Sequence, residues 1–186
     1  MTEPRAAAVR RPQHLHVLVL VLGVAVAAVV VIFMLATGGS SSTPSAKSGP
    51  TIVSQAQLEQ FAGTLDYPVY WAGPKAGYSY ELTAANGRVW VRYLPRGVNA
   101  GDPRPNFLVV GTYKQTGSFA GLRRAAKQPD SVSERIPDGG LLVYNSARPA
   151  SVYFGYPGVK YQVEVYAPSP ERARSLVMAG KATPVR

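Results

Sequence analysis

Residues 80–93 read Tyr-Glu-Leu-Thr-Ala-Ala-Asn-Gly-Arg-Val-Trp-Val-Arg-Tyr, and the Asn86-Gly87 pair at their centre decides the fold class. A two-residue type I′ turn needs positive φ at both central residues, which Asn and Gly tolerate. Its twist also matches that of two antiparallel strands. Folding the chain about this turn sets Tyr80 against Tyr93, Leu82 against Val91 and Ala84 against Val89 on one face. The other face collects Glu81 with Arg92 and Thr83 with Trp90. One apolar face, and an acid landing opposite a base on the other, is what a correct register produces.

Downstream, Leu94 to Asn106 is heavy in Pro, Gly and Arg and reads as a long loop, followed by a buried strand over Phe107 to Tyr113. Ser118 is the expected cap of a helix turning Phe119, Leu122 and Ala126 inward, with Arg123, Arg124 and Lys127 on its outer face or last turn. Pro137-Asp138-Gly139-Gly140, between Ile136 and Leu141, marks a second hairpin. A third turns at Pro157-Gly158, pairing Val152 with Val163, Phe154 with Tyr161 and Ser151 with Glu164. The last helix has Ser169 as cap, Pro170 at its first position, Glu171 in its first turn and Gly180 past its end, with Ala173, Leu176 and Val177 as its core stripe. Upstream, Ser54 and Gln57 form a capping box, Val53 and Leu58 stand at the staple positions, Leu58 and Phe61 are buried, and Gly63 ends the helix.

The expected architecture is α+β: a mainly antiparallel sheet with two to three helices on one face. Tyr70-Trp71-Ala72-Gly73-Pro74 echoes Tyr153-Phe154 with Pro157-Gly158, either as a duplicated unit or as two hairpins with similar ends.

Ahead of this domain, Val17 to Ala36 runs without one charged or hydrogen-bonding side chain. Twenty residues at 1.5 Å each span about 30 Å, the thickness of a hydrocarbon core, where backbone amides must bond internally. The run exceeds the core of a signal peptide, and Ala36-Thr37-Gly38-Gly39 offers no small-x-small cleavage site. A single N-terminal transmembrane helix is therefore expected. Arg5, Arg10 and Arg11 precede it, which puts the N-terminus in the cytoplasm and the remainder outside the cell membrane. The division is a short cytoplasmic tail (1–14), the transmembrane helix (15–36), a flexible Gly/Ser/Pro linker (37–50) and an extracytoplasmic domain (51–186). Gly23 and Ala27 form a small-xxx-small pair suited to helix packing, although a helix of Ala and Val produces such pairs easily. His14 and His16, spaced by two, fall on different helix faces and suit an interfacial position better than a metal.

Composition excludes several chemistries. With no cysteine in the chain, disulfides, thiol catalysis, Cys-ligated zinc and a lipidated Cys anchor are excluded. Residues 51–186 hold no histidine either, which removes Ser-His-Asp and Cys-His catalysis and His-ligated zinc. No phosphate-loop or nucleophile-elbow motif is present. The usage, rich in Ala, Gly, Pro, Val and Arg, is that of a GC-rich bacterial genome. No catalytic residue, cofactor or metal site is expected.

Sixteen bases against nine acids give residues 51–186 a net charge of +7. Such a domain is drawn to anionic lipid headgroups and wall polymers within about a Debye length, and its location argues against nucleic acid. The candidate binding residues are Arg88, Trp90 and Arg92, which alternate onto one strand face, with Arg96 and Arg104 from the long loop. The competing account pairs Arg92 with Glu81 and packs Trp90 under a neighbouring loop or helix. The expected function is a non-catalytic envelope binding module for an anionic polymer, membrane surface or protein partner. A carboxylate-dependent glycan hydrolase, with two acids across one cleft, and a structural subunit of a membrane complex are the alternatives.

Overall fold

The computed structural model describes residues 48–185. The expected cytoplasmic tail, the transmembrane helix, Gly23 and Ala27 lie outside the described residues, as does nearly all of the linker. Among the described residues no helix is long and apolar enough to cross a membrane.

The chain forms β1 (Ser48–Val53), α1 (Gln55–Ala62), β2 (Tyr70–Trp71), β3 (Tyr78–Ala85), β4 (Arg88–Pro95), β5 (Leu108–Lys114), α2 (Ser118–Ala125), β6 (Ser131–Ile136), β7 (Gly140–Asn145), β8 (Ser151–Gly155), β9 (Tyr161–Tyr166), α3 (Pro170–Met178) and β10 (Thr183–Pro184). Eight strands make one antiparallel sheet in the order β1-β3-β4-β5-β9-β8-β7-β6, and β10 with β2 makes a small second sheet. Among the described residues the fold is α+β with three helices.

The Asn86-Gly87 hairpin has the expected register, Leu82 opposite Val91 and Glu81 opposite Arg92, and its turn residues sit at φ 50° and 73°. At α1, Ser54 and Gln57 form the reciprocal capping box, and Leu58 and Phe61 are buried.

One sheet face carries Leu82, Val91, Val110, Val165 and Val152 in a continuous cross-strand row, all essentially without solvent contact. Apolar side chains of α1 and α3 belong to the same core. The segment from Val69 to Lys75 lies over it too, and side-chain hydroxyls satisfy its backbone. Tyr70 N donates to Thr112 Oγ1 at 2.9 Å, Ala72 N to Tyr93 Oη at 2.8 Å, Lys75 N to Tyr80 Oη at 3.0 Å, and Tyr93 Oη to Gly73 O at 2.9 Å. The tyrosines thus fill the core and pair an irregular strand at once. Burial pushes the Tyr93 phenol above its ordinary range.

Four features depart from the sequence reading. Ser48, Gly49 and Pro50, assigned to the linker by composition, belong to β1, which pairs with β3 across a register shift between Ser48 and Thr51. The third hairpin slides by two residues: Val152 opposes Val165 and Phe154 opposes Val163. Pro157 has φ fixed near −65°, so Pro157-Gly158 cannot form the type I′ turn a tight hairpin needs, and a loop over 156–160 replaces it. A slip of two leaves every side chain on its intended face. At α2 the cap position is Gly117, and Ser118 Oγ donates instead to Val159 O at 3.2 Å. The helices also occupy both faces. Leu122 of α2 stands outside the core shared by α1 and α3 and instead lies over Gly155, 3.1 Å from where its Cβ would be.

Thr112 is fully buried and is the partner that ties Tyr70 to the sheet. Thr112→Val should leave that amide unpaired and lower stability by about 1–3 kcal/mol, whereas Thr112→Ser should lose less. Urea unfolding of the full chain in detergent micelles, followed by tryptophan fluorescence, checks this.

Candidate functional site

The second sheet face is where the sequence places its candidates. Alternation along β4 puts Arg88, Trp90 and Arg92 there together, opposite Ala85, Thr83 and Glu81. Arg92 is spent on structure. Its Nη1 donates to Glu81 Oε1 at 3.2 Å, and its Nη2 to the carbonyls of Asp102 and Arg104 at 2.6 Å each. Glu81 accepts from Gly101 N, and Tyr166 Oη donates to Pro105 O at 2.6 Å. The Pro/Gly/Arg loop between β4 and β5 is thereby clamped across the sheet. The guanidinium carbons of Arg92 and Arg104 stand 4.7 and 5.4 Å from the centre of the Phe107 ring. Arg104 also grips Asp102 side-on, Nη2 to Oδ2 at 2.7 Å, holding that carboxyl down to about 2. The pair therefore stays charged through the ordinary carboxylate range and is lost only as pH falls through about 2. Arg88 and Arg96 are exposed and in no ion pair among the described residues. The structure brings Arg92 and Arg104 together around Phe107, with Trp90 neighbouring on the strand, and does not gather all five.

Beside the clamp lies a network only hinted at by the sequence. The cross-strand row Thr83–Trp90–Gly111–Glu164–Tyr153–Val143–Ser133 traverses seven strands. Glu164 is 5% exposed and has no cationic partner among the described residues. Tyr113 Oη donates to its Oε2, while Ser151 Oγ at 2.7 Å and Tyr153 Oη at 3.1 Å donate to its Oε1. Trp90 Nε1 donates to Tyr113 Oη at 3.1 Å. Three hydroxyls replace the water the carboxylate has lost. Burial, reinforced by the Glu164 charge, pushes the phenols of Tyr113 and Tyr153 far up. Gly111 makes room: a Cβ there would stand 2.6 Å from Tyr113 Oη and 3.2 Å from Trp90 Cδ1. Glu81, the other buried acid, sits on β3, three strand spacings away, or about 14 Å.

At the far edge of this face a cleft of about 710 Å³ opens between α2 and the β6–β7 hairpin, lined among others by Phe119, Arg123, Lys127, Arg135, Leu141 and Pro157. Arg123, Lys127 and Arg135 are exposed and in no ion pair among the described residues. Glu134 also borders the cleft, but its side chain alternates to the opposite face of β6. There Arg174 holds it at 2.5 Å through two hydrogen bonds and lowers its carboxyl below the usual range. Three cations thus share one concavity with no free carboxylate among the described residues that line it. Among the described residues no group of three His, Cys, Asp or Glu is placed to hold a metal.

Comparison with protein-family models, curated proteins and solved structures returns no match. The site must be judged on its own geometry.

The cleft was half visible in sequence, since Arg123 and Lys127 fall on the outer face or last turn expected of the helix that begins at Ser118. Arg135 was hidden because it joins them only through the fold. The Glu164 network was hidden for the same reason, its members coming from β4, β5, β8 and β9.

Gly111→Ala must displace Tyr113 from its place over the sheet and should cost about 1–3 kcal/mol. Gly121→Ala, on α2, meets only Gln115 Nε2 at 4.0 Å and should stabilise by about 0.5–1 kcal/mol, as removing a helical glycine does. Opposite signs in the same urea titration are the expected result.

Proposed function

We propose that this is a single-pass membrane protein whose outer domain is a non-catalytic module that holds an anionic partner in the cleft between α2 and the β6–β7 hairpin. The cluster of Arg123, Lys127 and Arg135 carries the reading. Like charges gathered in one concavity repel, and an anionic ligand relieves that repulsion while pairing with each. Arginine adds bidentate geometry for phosphate or carboxylate, and Phe119 and Leu141 supply an apolar wall. The net charge of +7 on residues 51–186 draws anions from a distance.

The membrane part rests on the apolar run from Val17 to Ala36 and the three arginines before it. The chain leaves the linker at Ser48 on edge strand β1, whereas the cleft borders β6 at the other edge. Seven strand spacings separate the edges, roughly 33 Å for a flat sheet, which suits a partner standing off from the bilayer. Arg88, Trp90, Arg92, Arg96 and Arg104 fit this reading as residues of the clamp and its margin.

Full-length protein in nanodiscs of neutral lipid should bind polyphosphate with an affinity that falls steeply with salt. The triple substitution Arg123→Gln, Lys127→Gln, Arg135→Gln should weaken binding on the order of tenfold or more, from three ion pairs each worth up to about 1 kcal/mol. Arg88→Gln with Arg96→Gln should change it less than about twofold. Unchanged binding by the triple variant at low salt would remove the cleft from consideration.

A further inference from the structure

The two edges of the sheet are not equivalent. β1 carries Pro50 and a register shift, both of which spoil an edge for further pairing. β6 has neither, and all six of its residues, Ser131–Ile136, pair with β7 in unbroken register. Just beyond its start, Ser146 N donates to Asp130 O at 2.7 Å. Narrow pairs recur every second residue in an antiparallel ladder, so Val132, Glu134 and Ile136 direct their backbone groups to β7. The N–H and C=O groups of Ser133 and Arg135 therefore face outward, with no strand beyond them among the described residues.

These two residues also line the cationic cleft. The register sets Ser133 opposite Val143 and Arg135 opposite Leu141, on the sheet face that α2 covers. A strand laid along β6 would send every second side chain, about 7 Å apart, onto that same face. There it meets Arg135, with Arg123 and Lys127 beyond. Edge and charge thus select one chemistry: an extended backbone to complete the ladder, and acidic side chains at alternate positions.

We infer that the partner is an extended acidic polypeptide segment, which adds to β6 as a ninth strand and sets its carboxylates against Arg135, Arg123 and Lys127. This rests on the cleft being the anion-binding site, and narrows that site's occupant from anions in general to a polypeptide. Main-chain hydrogen bonds supply affinity in this mode, while alternate side chains supply selectivity.

The test uses full-length protein in neutral nanodiscs with three probes: a ten-residue peptide alternating Glu and Thr, the same peptide N-methylated throughout, and polyphosphate. Strand addition predicts that N-methylation weakens peptide binding by about tenfold or more at unchanged charge. It also predicts that Ser133→Pro, which removes an outward-facing donor without touching the β6–β7 ladder, weakens the unmethylated peptide similarly. Equal binding of methylated and unmethylated peptide overturns strand addition while the anion site stands. Failure of both the peptide and polyphosphate to bind overturns both. Because the methylated peptide is tested on the unaltered protein, the outcome does not depend on the proline variant folding.

Discussion

A sheet eight strands wide has two faces to cover, and this chain covers both without a disulfide. On the first face the solution is apolar: α1, α3 and the segment around β2 close over rows of valine, leucine and tyrosine. The second face is handled differently at its two ends. Over β7 to β9, α2 lies on the sheet with Leu122 against the Gly155 position. Over β3 and β4, where no helix lies among the described residues, a loop is held down by one ion pair and its hydrogen bonds. Arg92 and Glu81 stand opposite each other on the hairpin and together grip Gly101, Asp102 and Arg104. The rigid fork of an arginine can bind a carboxylate and two carbonyls at once in a fixed plane, which lysine cannot. Much of the second face depends on that clamp.

The proposed function follows from where the covers stop. Between loop and helix the sheet keeps a partly buried polar strip, and there Glu164 takes its hydrogen bonds from Tyr113, Tyr153 and Ser151. Its neighbours are satisfied and its chemistry is inward. At the outer margin of α2 the conditions reverse. Arg123, Lys127 and Arg135 share a cleft whose bordering acid, Glu134, is already held by Arg174. Positive charge that already has a partner holds the fold, whereas unpaired positive charge gathered in one concavity is open to a ligand. On that criterion the proposed site lies on α2 and β6 rather than on the β4 arginines.

Local signals in the sequence reported local structure well. Asn86-Gly87 set both turn and register, Ser54 with Gln57 set the start of α1, and Ser169-Pro170 set the start of α3, because each is settled by residues within a few positions. Pro157-Gly158 misled because Gly offers a tight turn while the fixed φ of Pro forbids the hairpin type. The opposed Glu81 and Arg92 were legible as a pair, but their second task was not. Nothing in the spacing of residues 96–107 says that three of their backbone groups find partners on β3 and β4. The Glu164 network and the union of Arg135 with α2 are long-range products of strand order, which alternating patterns alone leave open. The side of the sheet taken by α2 was equally out of reach: it rests on Leu122 meeting Gly155, a contact between residues far apart in the chain.

Whether anions meet this protein on α2 and the β6–β7 hairpin is tested most directly by hydrogen-exchange mass spectrometry. Full-length protein in neutral nanodiscs, with and without saturating polyphosphate, should show new amide protection over residues 118–145 and none over 88–104. Protection confined to 88–104, with 118–145 unchanged, would contradict the proposed site and return it to the arginines of β4 and its loop.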